Sequence, residues 1–301
     1  MANLAKTIVA TGATSGLGFE LVKQLLAQTQ PYKFILGARD TQRTQAAYDE
    51  LKFDSSRHSL TVLPVELADL STVKTFAQQV LQKLKQDDDR PIDYLLLNAA
   101  MARQDDAPGP GPSKWSDSYL VNHLSQHYLT HLLRPKLEAS GSRIVVVSSG
   151  AIRSVTDTSH LDQDNKRHPE SGRGVYPATK FTQLLGAHWW QRALQSTKCT
   201  VVAVSPGMIP GTGLPRYVKA GQPTIDPKHP DAKDVPTGAR SILAALTVRD
   251  EDLPKDPEQL FLTSWGEWWP TDVYGLSLDK KLQDKWCPGL EEIEKEEGIA
   301  A

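Results

Sequence analysis

The amino-acid sequence predicts an α/β fold in which one doubly wound parallel sheet of seven strands carries helices on both faces. Short aliphatic or β-branched runs alternate along the chain with segments of helical periodicity. Glycines or small polar residues follow several of these runs, where the carboxyl ends of parallel strands would meet. The length of 301 residues lies within the range of one such sheet, so we predict a single domain over residues 1–301.

The first predicted strand leads into a glycine-rich turn. Lys6–Ala10 is a β-branched run, and Gly12, Gly16 and Gly18 follow with the spacing G-x3-G-x-G before a predicted helix over Phe19–Gln28. A strand, a tight turn and a helix N-terminus together direct backbone N–H groups at a phosphate. The segment therefore predicts a Rossmann-type nucleotide site, and the alternative is an ordinary tight turn.

The second predicted strand, Lys33–Ala38, ends at Arg39. In folds of this kind the end of that strand reaches the adenosine ribose, where a carboxylate would bind a 2′-hydroxyl and an arginine a 2′-phosphate. Arg39 therefore favours NADP over NAD, and Arg43 lies one turn further on. The alternative is a solvated Arg39 that pairs with Asp40.

The remaining elements continue the alternation. The predicted helices are Thr41–Phe53, Asp69–Lys85, Lys114–Glu138, Tyr176–Ser196, Val235–Val248 and Leu278–Trp286. The predicted strands are Leu60–Val65, Ile92–Leu97, Arg143–Val147, Thr200–Val204 and Gln259–Thr263. An excursion rich in Pro, Gly and Lys at about 208–234 is typical of a substrate loop. A C-terminal extension begins near residue 265, and we expect its acidic tail, residues 290–301, to be weakly held.

One pair of residues indicates chemistry. Tyr176 and Lys180 are four positions apart at the start of a predicted helix, so their side chains share one face. We expect the ammonium to favour the phenolate and to lower the pKa of the tyrosine from its ordinary value near ~10. Such a tyrosine can give a proton to a carbonyl oxygen or take one from an alcohol. Taken alone, the same spacing is also that of an ordinary helix surface.

Several motifs taken together resemble the short-chain dehydrogenase/reductase family. The family's order is kept, between about residues 6 and 265, by Thr11-Gly12-x3-Gly16-x-Gly18, Asn98-Ala99-Ala100, Asn122, Ser149, Tyr176-x3-Lys180 and Pro206-Gly207. The segment 121–130, and the 27 positions from Ser149 to Tyr176, look most like the retinol dehydrogenase and protochlorophyllide reductase branch. Three positions depart from the pattern: Ala100 stands for a glycine, Glu66 for an aspartate, and the expected threonine is displaced to Thr212.

The resemblance implies a role for each residue. Tyr176 is the general acid in reduction and the base in oxidation, while Lys180 lowers its pKa and holds the nicotinamide ribose. Ser149 binds the substrate oxygen as negative charge develops on it, and Asn122 holds a water that connects Lys180 to solvent. The implied cofactor-binding residues are Gly12, Thr14, Ser15, Gly16, Leu17, Gly18, Arg39, Glu66, Leu67, Asn98, Ala99, Tyr176, Lys180, Pro206, Gly207 and Ile209.

These expectations describe an NADPH-dependent oxidoreductase that reduces a carbonyl group of a fairly apolar small molecule. Two other functions stay open. One is reduction of a C=C bond, or a cyclising or isomerising step, at the same cofactor site. The other is a binding protein that senses NADP without catalysis.

Three histidines recur every four residues along one predicted helix, at positions His123, His127 and His131. Residues so spaced extend over ~12 Å of helix, which is too far for all three to bind one metal ion. We therefore predict a helix packing face, which could lie at a subunit contact, and no metal site.

Tryptophans form two groups. Trp265, Trp268 and Trp269 follow the last predicted strand, and we expect two of them to pack on the core and one to line the substrate pocket. Trp189 and Trp190 lie on the helix of Tyr176 and are expected in the core or at an interface.

Composition narrows the functional classes. The formal net charge is -2, so no broad basic field would attract nucleic acid. The two cysteines, Cys199 and Cys287, have neither disulfide-framework nor zinc spacing. No apolar run is long enough to span a membrane. We expect a cytoplasmic monomer or homodimer that binds a small-molecule substrate.

Overall fold

A sheet of seven parallel strands organises the part of the chain that the computed structural model describes: residues 4–102, 113–166, 175–214, 226, 228–229 and 232–299. The strands are β1 (Lys6–Thr11), β2 (Tyr32–Ala38), β3 (Ser59–Pro64), β4 (Tyr94–Leu97), β5 (Arg143–Val147), β6 (Thr200–Val204) and β7 (Phe261–Leu262). Their order across the sheet is β3-β2-β1-β4-β5-β6-β7. The predicted fold class is confirmed. The one-domain layout stays a prediction.

Helices cover both faces of this sheet. They are α1 (Gly16–Leu26), α2 (Thr41–Asp49), α3 (Leu70–Gln86), α4 (Asp117–Tyr119), α5 (Ser125–Ser140), α6 (Leu161–Asp164), α7 (Val175–Ala193), α8 (Val235–Thr247), α9 (Lys280–Trp286) and α10 (Leu290–Glu296). Successive strand residues point to opposite faces, so Ile8 belongs to one apolar core and Val9 to the other. Both faces of β1 are therefore buried, as in other parallel sheets.

The strand order reverses between β1 and its neighbours β2 and β4. In register, Thr11 of β1 pairs with Leu97 of β4, and Val147 of β5 pairs with Val204 of β6. The loops that leave these strands therefore meet at one edge of the sheet. Open α/β sheets bind ligands in the crevice at such a reversal.

Some element boundaries differ from the prediction for local reasons. Helix α1 begins at Gly16, three residues earlier than expected, because the glycine turn runs directly into the first helical turn. Helix α2 ends at Asp49, and Lys52 just beyond it takes a left-handed backbone with φ 48°. Strand β7 at the sheet edge pairs only over Phe261–Leu262.

The long helix predicted over Lys114–Glu138 is interrupted. Helix α4 covers only Asp117–Tyr119, and a π-helical turn over Leu120–Leu124 separates it from α5. A π-turn is rare and often marks a functional position. Asn122 lies inside this turn, so the irregular backbone coincides with a predicted site residue.

The prediction of a weakly held acidic tail is wrong. Residues 290–296 form helix α10, whose Ile293 is buried in the core. Glu294 accepts a hydrogen bond from Tyr128 of α5 at 2.8 Å and pairs with Lys74 of α3 at 3.1 Å. The acidic sequence suggested a solvent-facing tail, but a buried isoleucine and three carboxylates, those of Glu294, Glu296 and Glu297, anchor the segment. Most of the excursion predicted at 208–234 lies outside the described residues.

The three histidines of the predicted stripe pack inside the chain. His123 Nε2 lies 2.8 Å from the carbonyl oxygen of Trp286, and His127 Nε2 lies 3.0 Å from that of Pro288. Trp190 donates its indole N–H to His127 Nδ1 at 3.0 Å. Burial lowers the pKa of His123 and of His131 to about 4 in each case. The packing-face interpretation is confirmed, and the partner is the chain's own C-terminal segment.

Among the described residues, no helix combines the length and apolarity needed to cross a membrane.

Candidate active site

A cavity of about 760 Å³ opens where β1 to β6 end at the reversal of strand order. Every predicted site residue lines it except Gly18 and Asn122. Residues from six different loops converge because parallel strands deliver their carboxyl ends to one edge. The predicted set is thus brought together, although its members lie far apart in sequence.

The glycine turn is shaped by close contact with the segment after β4. Gly12 has a positive φ of 67°, and a Cβ there would meet the Cα of Ala99 at 2.5 Å. A Cβ on Gly18 would meet the carbonyl oxygen of Gly12 at 2.4 Å and the side-chain nitrogen of Asn98 at 2.6 Å. Gly18 does not line the cavity. Its lack of a side chain allows α1 to pack closely against the glycine turn. Asn98 Nδ2 donates to the Gly12 oxygen at 2.7 Å and fixes this arrangement.

The first turn of α1 presents free backbone donors to the cavity. Ser15 occupies the N-cap with extended backbone, and its side chain makes no capping hydrogen bond. Ser15, Gly16 and Leu17 all line the cavity. Uncapped N–H groups and the positive end of a helix suit a phosphate, so this end of the cavity fits a dinucleotide.

Arg39 lies at the rim of the cavity beside Glu66. Its Nη1 is 3.8 Å from Glu66 Oε2, and more than half of the arginine side chain is exposed. Glu66 Oε1 accepts a hydrogen bond from the backbone N–H of Ala68 at 3.0 Å. Asp40 instead caps α2 by accepting from Arg43 N–H at 2.9 Å, so the predicted alternative of an Arg39–Asp40 pair is wrong. Arg43 does not line the cavity.

Helix α7 places Tyr176 and Lys180 against the end of β5. Tyr176 and Ser149 both line the cavity there, and an interaction with the Ser149 side chain lowers the pKa of the Tyr176 phenol. Ser149 Oγ also accepts from the backbone N–H of Ala151 at 3.1 Å. Lys180 Nζ donates to the Val147 carbonyl oxygen of β5 and to Gln183 Oε1, each at 2.9 Å.

Burial controls the protonation of this group. It raises the pKa of Tyr176 to about 12, and the interaction with Ser149 opposes that rise. It also lowers the pKa of Lys180 to about 7. The expected lowering of the Tyr176 pKa by Lys180 is therefore wrong for this structure, because the amine bonds two oxygens other than the phenol. A tyrosine that keeps its proton at neutral pH is in the form that can act as an acid.

Asn122 lies behind the cavity and joins two of its walls. Its Oδ1 accepts from Met101 N–H at 2.7 Å, and its Nδ2 donates to the Met101 oxygen and to Thr179 Oγ1, both at 2.9 Å. The side chain thus connects the segment after β4 to α7, close to Lys180 in sequence. The water-holding role of Asn122 stays a prediction.

The number of tryptophans from the group 265–269 that line the cavity differs from the prediction. Trp265 and Trp269 both line the cavity, whereas Trp268 packs against the apolar core on the other face. Two tryptophans rather than one therefore face the pocket. Trp189 and Trp190 meet the rings of the histidine stripe edge to face, in line with the predicted packing role.

Three further lining residues went unnoticed or undervalued in the sequence. Asp117 and Arg153 carry charge into the cavity, and Thr212, the displaced threonine, also lines it. Arg153 follows Ser149 by four positions in a 3-10 turn over Gly150–Ser154. The available signal was its place in the segment directly after β5 and Ser149, since the carboxyl ends of parallel strands meet at the site.

Comparisons with known proteins agree with this geometry. A family model for short chain dehydrogenase matches residues 6–160. A short-chain dehydrogenase/reductase of Pestalotiopsis microspora is 58% identical over 296 residues, which is 97% of this chain and 99% of that protein. Retinol dehydrogenase 12 of Homo sapiens is 29% identical over 207 residues, 68% of this chain and 61% of its own length. The chain thus spans about three-fifths of that human relative.

Solved structures share the fold. An NADPH-bound carbonyl reductase from chicken fatty liver superposes with a TM-score of 0.65 and 21% identity, over 88% of this chain and 98% of that one. A short-chain dehydrogenase from Sphingobium yanoikuyae in complex with NADPH gives a TM-score of 0.58 and 22% identity, over 80% and 84% of the two chains. At such identities the likeness concerns the architecture.

Proposed function

The chain belongs to the short-chain dehydrogenase/reductase family of oxidoreductases, and on that basis we propose that it reduces a carbonyl group with NADPH. One observation carries the proposal: the hydroxyl-bearing residues Tyr176 and Ser149 both line the wall of the cavity that also holds the glycine turn, and Ser149 acts on the pKa of the Tyr176 phenol. A hydroxyl pair of this kind can bind one carbonyl oxygen from two sides. The protonated state of Tyr176 at neutral pH suits the direction of reduction.

The cavity fits a dinucleotide at its opposite end. The uncapped N-terminus of α1 and the turn at Gly12 would hold the pyrophosphate, and Arg39 would hold a 2′-phosphate. Lys180 would bind the nicotinamide ribose, with Asn98, Pro206, Gly207 and the other predicted residues forming the walls. When bound there, the cofactor supplies the hydride.

The proposed chemistry of the chain is a proton transfer with charge stabilisation. Tyr176 donates its phenolic proton to the substrate oxygen, and Ser149 donates a hydrogen bond to the same atom. Lys180 and Asn122 help to position the site, because each forms a hydrogen bond between α7 and a neighbouring segment. In the oxidative direction Tyr176 would accept the proton.

The substrate end of the cavity is largely apolar. Val121, Met208, Leu214, Trp265 and Trp269 line it, which suits a hydrophobic carbonyl compound. The human relative is a retinol dehydrogenase, and a retinoid is a substrate of this apolar class. The cytoplasmic location and the monomeric or homodimeric state remain predictions from the sequence.

The test is NADPH oxidation across a panel of ketones, aldehydes, quinones and enones, with the products identified. We expect alcohol products, formed by reduction of the carbonyl group, and we expect Tyr176→Phe to lower turnover by about 100-fold or more while NADPH still binds. Tyr274→Phe, which changes a buried tyrosine outside the cavity, is the matched control. Enones reduced only at C=C would support the alternative chemistry. Tight NADPH binding with no turnover would support the sensing protein.

A further inference from the structure

An arginine on the substrate side of the cavity has no part in the proposed proton transfer. Arg153 lines the cavity within the 3-10 turn that follows Ser149. Its Nε donates to the carbonyl oxygen of Gly150 at 3.2 Å. Its guanidinium carbon lies 5.4 Å from the centre of the Trp269 ring, within the range of a cation–π contact. The side chain is thus oriented at two points.

The aromatic partner of Arg153 is itself fixed. The rings of Trp269 and Phe261 meet edge to face with centroids 4.6 Å apart, and Trp269 N–H donates to the Phe261 oxygen at 2.9 Å. Because Phe261 of the edge strand β7 is fully buried, the ring under the guanidinium is held in place. A guanidinium that is already oriented loses less freedom when it binds a ligand.

The outer nitrogens of this guanidinium remain available. Within the described part of the chain, Arg153 forms no ion pair with a carboxylate, and Nε is its one hydrogen-bonding nitrogen. Arg153 is one of the residues that line the cavity, so its guanidinium can be reached by a ligand there. A planar fork of N–H donors matches the two oxygens of a carboxylate.

The other charged groups of the cavity are occupied. Lys180 donates to two oxygens of the chain, and Asp117 is buried and has an interaction within the chain. Arg39 and Glu66 lie together at the opposite end, beside the ends of β2 and β3. An anion that enters near Ser149 therefore meets Arg153 as its cationic partner.

We propose that the substrate carries a carboxylate and that Arg153 binds it while the carbonyl of the same molecule reaches Ser149 and Tyr176. This inference rests on the proposed function, which it narrows to acidic carbonyl compounds. Arg153 bonds the carbonyl of Gly150, the residue next to Ser149, and adjacent Cα atoms are ~3.8 Å apart. The Arg153 guanidinium is thus held at the residue next to Ser149, and Trp269 lines the same cavity.

Binding tests the inference without turnover. Benzoate and its neutral counterpart benzamide are titrated into the full chain with NADP⁺ present, and tryptophan fluorescence is followed because Trp269 lies at the site. We expect Arg153→Gln to weaken the binding of benzoate about tenfold and the binding of benzamide less than about twofold. The difference arises because benzoate loses a charge-assisted hydrogen bond. Arg57→Gln, an exposed arginine that pairs with Asp54 outside the cavity, should change neither. Benzoate that fails to bind the wild type, or binds Arg153→Gln equally well, would overturn the inference.

Turnover separates this inference from the proposed function. The substrates are 4-carboxybenzaldehyde and methyl 4-formylbenzoate, which differ by one charge. We expect Arg153→Gln to lower kcat/KM for the acid about tenfold through KM, with the ester within about twofold. If neither aldehyde is reduced but benzoate binding still needs Arg153, the proposed function fails and the anion site stands. If both are reduced and the variant leaves their ratio unchanged, the proposed function stands and the anion site fails.

Discussion

The amine nitrogen of Lys180 lies 5.9 Å from the centre of the Tyr176 ring, while its hydrogen bonds go to Val147 and Gln183 instead. The pair therefore shares one face of α7 without a direct bond between the amine and the phenol. Burial favours the neutral form of each group, so it raises the pKa of Tyr176 and lowers the pKa of Lys180. At neutral pH the phenol keeps its proton, and Lys180 is partly deprotonated.

The lowered pKa of Lys180 predicts a rise of stability with pH. Its value is about 7 in the folded protein, so between pH 7 and the ordinary lysine range the unfolded chain binds the additional proton. Raising the pH from 7 to 9 should increase the free energy of unfolding by about 2 kcal/mol through this group. Urea unfolding of the protein without added nucleotide measures it. Lys180→Met should lack this increase.

A matched lysine variant controls the comparison. Lys281 lies exposed on α9, so Lys281→Met should keep the pH dependence of the wild type. Parallel pH profiles for the wild type and Lys180→Met would contradict the lowered pKa of Lys180.

The pairing of Arg39 with Glu66 predicts cofactor preference. We expect Arg39→Ala to weaken NADPH binding by about 10- to 100-fold, since a charged hydrogen-bonding group is lost, and NADH binding by less than about twofold. Glu66→Gln removes the negative charge 3.8 Å from Arg39 and should strengthen NADPH binding severalfold. Fluorescence titration with NADPH and with NADH measures both dissociation constants. Equal losses for NADPH and NADH in Arg39→Ala would remove the argument for a 2′-phosphate site.

The packing of Gly18 predicts a large effect from one methyl group. A Cβ would lie 2.4 Å from the Gly12 oxygen, so Gly18→Ala must push α1 away from the turn. We expect a loss of about 2 kcal/mol in the free energy of unfolding, as for other overpacked sites, together with weaker nucleotide binding. Gly275→Ala is the control, because a Cβ at Gly275 meets nothing within 4 Å. Equal stability of the two variants would contradict the close packing.

The anchored tail predicts a stability effect far from the site. Ile293 of α10 is buried in the core, so Ile293→Ala should lower the free energy of unfolding by about 2 kcal/mol or more. Leu276→Ala, at an exposed leucine of the same C-terminal region, should change it by less than about 0.5 kcal/mol. Chemical unfolding measures both. A neutral Ile293→Ala would mean that α10 adds no stability.

Much of the site was predictable because its determinants are local. A strand, the three glycines and a helix follow one another in sequence, so the turn at Gly12 could be inferred directly. The convergence of Ser149 and Tyr176 followed from strand order, since parallel strands bring their ends to one edge.

The remaining features depend on neighbours that are distant in sequence. Arg39 pairs with Glu66 because β2 and β3 are adjacent, whereas the sequence suggested its immediate neighbour Asp40. The pKa of Lys180 follows from burial, which an i, i+4 spacing does not reveal. The tail is held by Ile293 among many acidic residues, and only the tertiary packing shows what that single side chain contacts.

The contacts between α5 and the C-terminal segment have a consequence for synthesis. His123 and His127 leave the ribosome well before Trp286 and Pro288, whose carbonyl groups they face. Chains emerge from their N-terminal end, so the sheet can assemble while this face of α5 is still uncovered. A nascent chain arrested before Trp286 would therefore expose this face to chaperones and proteases, and release of the last residues completes its protection.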